Sequence, residues 1–295
     1  LNCKKVEGYN QIDAIALSSK IGAVKIEVEI ADDIVFKGDA ENLGENVNTA
    51  NYSDQNPVIS PDGKVLFFNR CNHPMNSGGE EDDNEIWVSH LDDNGNWQVA
   101  YNIGAPLNNK ANNFVCSTSP DGKLILVGNA YNKDGTMSNG VSSALKSSNG
   151  WQFPIKQNIE SSYNNSKYVE YYLSTSGKYL ISAVERNDTK GERDLYVSHL
   201  EGNNSWSEPI NLGATINTAA NDFVPFLAPD DKTLYFSSYG HIGYGSADIF
   251  VSKRLDDSWT KWSKPKNLGK KINSKDWDAG YTIAAKGDYA YFNSS

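Results

Sequence analysis

Short apolar runs alternate along this chain with polar, turn-forming residues, and the alternation recurs in units. Each unit opens on Asn-Leu-Gly or a close variant, continues through polar residues, and then carries apolar runs on both sides of Ser-Pro-Asp-Gly-Lys. The clearest copies of that core are Ser60–Phe68 and Ser119–Val127. The opening tripeptides lie at 42–44, 102–104, 211–213 and 267–269, with a degenerate copy at 158–160. This period predicts an array of similar supersecondary units.

The fourth unit indicates what each repeat folds into. Its apolar runs are Phe223–Leu227, Thr233–Ser237 and Asp248–Ser252, and a fourth run extends from Trp259 to Leu268. The Pro-Asp-Asp-Lys segment after the first run favours a tight turn, because proline fixes φ and aspartate tolerates turn geometry. Counterparts of the third run occur at 85–89, 194–198 and, more weakly, 143–147. Four short antiparallel strands repeated in this way predict an all-β chain, a β-propeller in which each unit forms one blade.

The two ends of the chain are predicted to close the propeller together. The fifth unit supplies two strands, Tyr281–Ala284 and Tyr289–Phe292. Ala23–Ile30 and Asp33–Phe36 precede the first Asn-Leu-Gly, where third and fourth strands belong. A blade shared by both ends would remove exposed strand edges.

This closure predicts five blades in one propeller domain over residues 23–295, preceded by an N-terminal extension of residues 1–22. Six blades is the alternative, if residues 1–41 form more than two strands.

Ser-Pro-Asp-Gly-Lys before a strand, followed by a loop and Asp-Ile-aromatic-Val, resembles the PD40 or TolB-like (WD40-like) propeller repeat over residues 42–292. The third unit departs from the motif, because Ser174–Lys178 lacks both Pro and Asp. With Asn-Leu-Gly before each unit, the repeat is similar to propellers in envelope proteins of Bacteroidetes-type bacteria. The resemblance implies a periplasmic location beside the outer membrane and a protein partner there. It also implies an accessory subunit of an envelope complex, such as a secretion machine of the type IX kind.

Charge and cysteine content narrow the partners. The net charge of −10 argues against a nucleic-acid partner, because phosphate binding needs clustered Lys and Arg. The three cysteines, Cys3, Cys71 and Cys116, do not form a disulfide framework. We expect Cys71 and Cys116 to be reduced, with a disulfide between them as the alternative. Cys3 precedes two lysines and is a candidate for the lipid-bearing cysteine of a processed lipoprotein, although Leu1-Asn2 is a poor cleavage context.

A column of polar residues stands before the first strand of each unit and is predicted to ring one mouth of the propeller channel. Its members are Asp54, Asn113, Tyr168, Asp222 and Asp278. The favoured interpretation is that each side chain caps the turn entering its strand. One alternative is a site for a cation or polar ligand. The other is a carbohydrate-active enzyme, a glycoside hydrolase with Asp222 and Asp278 as channel carboxylates.

Other functional classes have weaker sequence support. The sequence has no nucleophile elbow, phosphate loop, zinc spacing or EF-hand pattern. We therefore expect no catalytic residue, no resident metal and no cofactor, and we predict that the protein is not an enzyme. The acidic segment 80–85 is a solvated loop in the favoured interpretation and a calcium site in the alternative. A glycan- or peptidoglycan-binding module would use Tyr168, Tyr171, Tyr172 and Trp277 as its stacking surface.

Three loops differ from unit to unit, and such loops are where a regular scaffold places specificity. They span residues 70–85, 129–139 and 239–245. Their candidate partner-binding residues are His73, Pro74, Met75, Tyr131, Met137, Tyr239, His241 and Tyr244. Tyrosine suits recognition, because it combines contact area with a polar tip. The sequence therefore predicts a propeller that binds another protein through these loops.

Overall fold

The computed structural model describes residues 27–202, 204–284 and 287–294, and these residues form an all-β propeller. Its first blade is an antiparallel sheet in the order β1-β2-β3-β4. These strands are β1 Asp54–Ile59, β2 Val65–Arg70, β3 Glu85–His90 and β4 Tyr101–Asn102. A short 3-10 helix, Gly79–Glu81, lies in the loop between β2 and β3.

The second and third blades have the same plan with small additions. The second comprises β5 Val115–Thr118, β6 Leu124–Tyr131, β7 Met137–Ser147, β8 Gly150–Trp151 and β9 Ile155–Lys156. Both β8 and β9 pair with β7, and β9 takes the place of the fourth strand. The third comprises β10 Asn158–Ile159, β11 Glu170–Leu173, β12 Tyr179–Val184, β13 Asp194–Gly202, β14 Ser205–Trp206 and β15 Ile210–Asn211.

The fourth blade is complete and the fifth sheet is not. The fourth contains β16 Asp222–Leu227, β17 Thr233–Ser238, β18 Asp248–Lys253 and β19 Lys266–Asn267. The fifth sheet consists of β20 Asp278–Ile283 and β21 Ala290–Ser294. In the part of the chain that the structure describes there are thus four blades with four or more strands, and the predicted five complete blades are not reached.

The first strands of all five sheets surround a central cavity. Strand β1 contacts β5 and β20, β11 contacts β5 and β16, and β16 contacts β20. Residues from each of these strands line the cavity, whose volume is about 90 Å³. The apolar core lies between neighbouring sheets: Phe67 and Ile86 of the first blade, for example, pack with Val115 and Ile125 of the second. Burial of each such side chain contributes roughly 1.5–3 kcal/mol.

The Ser-Pro-Asp-Gly-Lys segments form the turns between first and second strands. In the first blade, Asp62 Oδ1 accepts hydrogen bonds from Ser60 Oγ (2.6 Å) and from the backbone N–H of Lys64 (3.0 Å). Gly63 has a φ of 73°, in the left-handed region that favours glycine. Residues 119–124 repeat these hydrogen bonds. The repeated motif is therefore a structural turn.

The Asn-Leu-Gly segments contain a second asparagine, six residues after the first, that joins neighbouring sheets. Asn102 Oδ1 accepts hydrogen bonds from Gly104 N (2.8 Å) and from Asn108 Nδ2 (2.9 Å). Asn108 also accepts from the N–H of Ile86 (3.0 Å) and donates to the Ile86 carbonyl (2.9 Å). We call this pair of asparagines the asparagine bracket. It satisfies both backbone groups of a buried residue in the third strand of the preceding blade.

The asparagine bracket recurs at two further seams. Asn211 and Asn217 hold Leu195, and Asn267 and Asn273 hold Ile249, with the same four hydrogen bonds. The second blade lacks it, because Lys156 rather than Asn158 occupies the position of Asn102 opposite the third strand. The degenerate repeat at 158–160 is thus displaced by two residues from the position that the sequence suggested.

The N-terminal residues do not complete the fifth sheet as predicted. Ile30 instead forms a parallel bridge with Asn267 at the outer edge of β19, and Ala31 donates to the Asn267 carbonyl (2.9 Å). Residues 33–36 form no strand; Ile34 and Phe36 are half-buried against the core of the third to fifth sheets. Residues 23–26 of the predicted strand and the extension at 1–22 lie outside the described residues.

Charge complementarity accounts for this different placement. Four acidic side chains of the N-terminal segment lie beside four lysines of the fourth blade and the residues after it. The pairs are Glu29–Lys264, Asp32–Lys266, Asp33–Lys253 and Asp39–Lys271. Each pair is exposed and contributes at most about 1 kcal/mol, but all four favour the same position.

Removing one asparagine bracket should destabilise the whole propeller. Asn217→Ala would leave the buried N–H of Leu195 without an acceptor, at a cost of roughly 1–3 kcal/mol, and would remove one of the two donors to its C=O, which still accepts from the N–H of Leu212 (3.0 Å). We expect the free energy of unfolding, measured by urea titration, to fall by about 1–3 kcal/mol. Asn149→Ala, at an exposed turn, is the matched control and should change it by less than about 0.5 kcal/mol. Equal effects of the two substitutions would contradict the structural role of the bracket.

Candidate functional site

One face of the propeller carries both the predicted ring and the predicted loops. The start of each first strand, the end of the second and the start of the third lie side by side, as in the register Asp54–Arg70–Glu85 and its counterpart Asp222–Ser238–Asp248. In each blade, the loop that connects the second strand to the third therefore lies beside the residue at which the first strand begins. We call this surface the 2–3 face. The opposite face carries the Ser-Pro-Asp-Gly-Lys turns and the loops from third to fourth strands.

The three aspartates of the predicted ring bind their own turns. Asp54 Oδ2 accepts from the backbone N–H of Thr49 (2.7 Å) and its hydroxyl (3.0 Å), and Oδ1 pairs with Arg70 Nε (2.6 Å). Asp222 Oδ2 accepts in the same way from Thr218, while Oδ1 accepts from Ser238 Oγ (2.6 Å). These carboxylates stabilise the turns that lead into their strands.

Asp278 follows the same plan with one difference. Its Oδ2 accepts from the backbone N–H (2.6 Å) and hydroxyl (2.9 Å) of Ser274. Its buried Oδ1 has no hydrogen-bond partner among the described residues.

The other two ring positions behave differently from each other. Asn113 is buried, accepts from the N–H of Asn109 (2.7 Å) and donates to the Tyr131 hydroxyl (3.2 Å). Tyr168 is exposed on the 2–3 face, with the Arg193 guanidinium 5.5 Å from its ring. Asn113 and the aspartates thus point into their own sheets, and the ring does not converge on one ligand.

The central cavity does not suit the channel-sited hydrolase alternative. Its volume of about 90 Å³ is below the roughly 300–1,000 Å³ of typical small-molecule sites. Glu170 is the carboxylate that lines it, and Arg193 Nη1 holds both Glu170 oxygens at 2.6 and 2.5 Å. Tyr171 and Tyr172, proposed as glycan-stacking residues, are buried in β11.

The acidic segment 80–85 buries two neighbouring carboxyl groups, those of Asp82 and Glu85, and leaves Glu80 and Glu81 outside. Asp82 turns inward and accepts from the N–H of Gly78 (2.9 Å), and burial raises its pKa. Glu85 accepts a hydrogen bond from Asn102, whereas Glu80 and Glu81 are exposed. Within the described ranges, no group of three or more His, Cys, Asp or Glu side chains has the arrangement of a metal site.

The loop between β2 and β3 has a fixed base and an exposed tip. The His73 ring lies 4.6 Å from the rings of both Tyr52 and Trp87, and burial lowers its pKa. Asn76 donates to the Arg70 carbonyl (3.1 Å) and accepts from Trp87 Nε1 (3.0 Å). Pro74 and Met75 stand exposed between these anchors.

The predicted loop 129–139 is a continuation of the second blade. Strands β6 and β7 extend through Tyr131 and Met137, leaving a tight turn at 132–136. Tyr131 is buried and donates to the Leu107 carbonyl (2.7 Å), and Met137 is half-buried against the core. Tyr131 is therefore a core residue and is not available as a surface contact.

The loop between β17 and β18 is also largely packed. His241 Nε2 hydrogen-bonds to the Ile216 carbonyl (2.8 Å), its ring packs on Phe236 and Phe250, and burial lowers its pKa. Tyr244 is half-buried, with Lys270 Nζ 5.4 Å from its ring.

An arginine outside the sequence-predicted site residues organises the centre of the 2–3 face. Arg193, in the loop before β13, bridges Glu170 and the side chain of Asn221 (3.0 Å). Its guanidinium lies between the rings of Tyr168 and Phe223, at 5.5 and 5.6 Å.

Aromatic rings extend this arrangement toward the fifth sheet. Tyr239 and Trp277 stack near Phe223, at 5.3 and 6.5 Å. We call Tyr168, Arg193, Phe223, Tyr239 and Trp277 the aromatic row. One sequence feature points to this arrangement: Arg193 stands directly before Asp194, the acidic residue that begins β13.

Comparisons with known proteins concern the fold. The sequence matches no family model and no curated protein. Similar solved structures include TolB from Acinetobacter baumannii, with 15% identity over 70% of this chain and a TM-score of 0.43. The chain spans 42% of that TolB chain. The described strands form a propeller, and TolB is among the structures that resemble it, whereas no family model supports the PD40 assignment.

Enzymes share this fold as well. An α-L-arabinofuranosidase from Lactobacillus brevis is 12% identical over 83% of this chain and 84% of its own, with a TM-score of 0.44. A thermostable family-43 glycoside hydrolase is 10% identical over 82% and 83%, with a TM-score of 0.48. The prediction that the protein is not an enzyme is therefore overturned: propellers of this kind include enzymes, and a missing sequence motif does not exclude catalysis.

Asp222 should make stability depend on pH. Burial raises its pKa from 3.8 to about 7, against the opposing effect of its hydrogen bonds. The folded state therefore keeps a proton that the unfolded chain has already released. This contribution to stability is complete below pH 3.8 and is lost as the pH rises through about 7.

We expect the free energy of unfolding to fall between about pH 4 and pH 8, and Asp222→Asn to reduce that fall by up to roughly 4 kcal/mol. Urea titrations across this range would measure both. The exposed Asp93→Asn should keep the wild-type dependence. An unchanged slope in Asp222→Asn would contradict the assignment.

Proposed function

We propose that the 2–3 face binds another protein, and that it does so in the periplasm as part of a cell-envelope complex. The observation that carries this proposal is the combination, on one face, of exposed apolar side chains with a fixed aromatic row. Met75, Tyr168 and Ile242 are 68%, 56% and 47% exposed, and they come from the first, third and fourth blades. Tyr, Trp and Arg are the residues that most often dominate binding energy at protein interfaces.

The bases of these loops are fixed by packing and hydrogen bonds, which favours binding to a partner surface of defined shape. The anchors at His73, Asn76 and His241 hold the loop bases, and Arg193 holds the aromatic row through Glu170 and Asn221. Side chains held in this way lose little conformational entropy on binding. Tyr239, His241 and Tyr244 would then act mainly by shaping the loop, with Ile242 at its tip making contact.

Location and anchoring remain part of the proposal. The described residues contain no helix with the length and hydrophobicity to cross a membrane. A periplasmic gluconolactonase from Pseudomonas aeruginosa is among the similar structures, at 13% identity and a TM-score of 0.40. Cys3 as a lipid anchor would hold the propeller at a membrane surface. The subunit would serve a machine such as a secretion complex, with one protein partner on the 2–3 face.

Site-specific crosslinking distinguishes the two faces. A photoreactive residue placed at Met75, Tyr168 or Ile242 in cells should yield one crosslinked protein species of constant mass. Val99 and Leu255, 73% and 65% exposed in loops of the opposite face, are matched controls and should not yield it. Tyr168→Asp should reduce the crosslink at Met75 by about tenfold, because a buried unpaired charge costs at least about 1.4 kcal/mol. Equal yields from both faces would overturn the proposal.

A further inference from the structure

Among the described residues, the fifth sheet has no third strand at the place where the other blades hold theirs. Strand β21 pairs only with β20 among the described residues. Its residues are half-buried or exposed, whereas the equivalent strands β12 and β17 are almost wholly buried. The gap lies between β21 and residues 41–42, which match the fourth-strand positions 101–102, 210–211 and 266–267. We call this gap the open third-strand position.

One asparagine bracket faces this gap without a strand to hold. Asn42 accepts from Gly44 N (2.8 Å) and from Asn48 Nδ2 (2.9 Å), as in the three occupied copies. Val47 is buried, as are its counterparts Leu107, Ile216 and Ile272. The difference lies in Asn48. Its counterparts Asn108, Asn217 and Asn273 are buried against a third strand, whereas Asn48 is half-buried and its side chain, in the described part, hydrogen-bonds to Asn42 alone.

The three brackets that hold a third strand show which strand sequence would fit the open third-strand position. Their third strands read Glu-Ile-Trp-Val-Ser, Asp-Leu-Tyr-Val-Ser and Asp-Ile-Phe-Val-Ser, beginning at residues 85, 194 and 248. In two of the copies the acidic residue accepts a hydrogen bond from the first asparagine of the bracket: Glu85 from Asn102, and Asp194 from Asn211 (2.9 Å). The aliphatic residue gives its N–H and C=O to the second asparagine. The aromatic and valine side chains are buried on the two faces of the blade.

No fourth copy of this pattern occurs in the 295 residues. The nearest variant, Asp33–Phe36, lies beside the fourth blade, with Val35 exposed. We propose that the open third-strand position binds a partner strand: an extended segment of a polypeptide outside these residues, with the sequence acidic–aliphatic–aromatic–valine. Insertion would pair the edge of β21, fill the bracket of Asn42 and Asn48, and complete a fifth blade.

A synthetic peptide with the sequence of Ser246–Leu255, which contains β18, is the probe. Fluorescence anisotropy should show saturable binding to the 295-residue protein, and hydrogen exchange should show new protection in β21. Asn48→Ala should weaken binding about tenfold or more, because it removes two hydrogen bonds to a peptide group. N-methylation of the peptide at the residue equivalent to Ile249 should weaken binding to the wild type similarly and should have little further effect on Asn48→Ala.

The controls separate insertion from non-specific adhesion. Asn149→Ala is the control for an asparagine substitution elsewhere in the protein and should bind the peptide as the wild type does. A scrambled peptide is the control for the sequence pattern and should not bind. Circular dichroism confirms that Asn48→Ala stays folded. Absence of binding would overturn the proposal, as would binding that neither Asn48→Ala nor N-methylation changes. A dimer that excess peptide does not dissociate would assign the position to a second copy of this chain and would equally overturn it.

Discussion

The fold depends on the satisfaction of one buried peptide group at the seam between neighbouring blades. A third strand lies in the middle of its blade, and the residue after its acidic start cannot satisfy both backbone groups by strand pairing alone. The asparagine bracket supplies the missing acceptor for its N–H, and a second donor for its C=O, from the segment that leads to the next blade. Because an unpaired buried peptide group costs roughly 1–3 kcal/mol, each bracket fixes the position of one blade against the next.

The same seams determine what the 2–3 face can present. Each segment that carries a bracket continues directly into a turn capped by a ring residue, which is Asp54, Asn113, Asp222 or Asp278, and then into a first strand. The capping carboxylates thus belong to the structural connection between blades. What remains for recognition are the side chains beyond these turns, which differ from blade to blade: Met75, Ile242 and the aromatic row. A regular scaffold and an irregular surface arise from adjacent stretches of sequence.

The sequence predicted the elements of this fold better than their assembly. The strands near Ser-Pro-Asp-Gly-Lys follow from local apolar periodicity and turn chemistry, and both occur where expected. Asn108 and its counterparts were visible as Asn-x-Gly-x-x-x-Asn but were not recognised, since their role appears only when two blades meet. The placement of Ile30 beside β19 depends on lysines that are distant in sequence and are brought together by the fourth blade.

The site was harder to predict for the same reason. Tyr131 lies in the segment 129–139 that the sequence predicts to be a loop, yet the strand pairing continues to Tyr131 and buries it. Arg193 and Glu170 are separated by 23 residues, and no local pattern connects them. Asp222 was correctly placed at the start of a first strand, but the direction of its side chain depends on Thr218 and Ser238.

The asparagine bracket also bears on how such a chain can change during evolution. One period of the sequence, from the first asparagine of one bracket to the first asparagine of the next, contains the joining segment of one seam and the third strand that the following seam holds. Duplication or deletion of a whole period that carries both parts therefore keeps bracket and third strand together and alters only the circumference of the ring. At the seams that have a bracket, a change of any other length would leave an asparagine pair without a third strand, or a buried N–H without its acceptor, so ring size varies there in whole repeats.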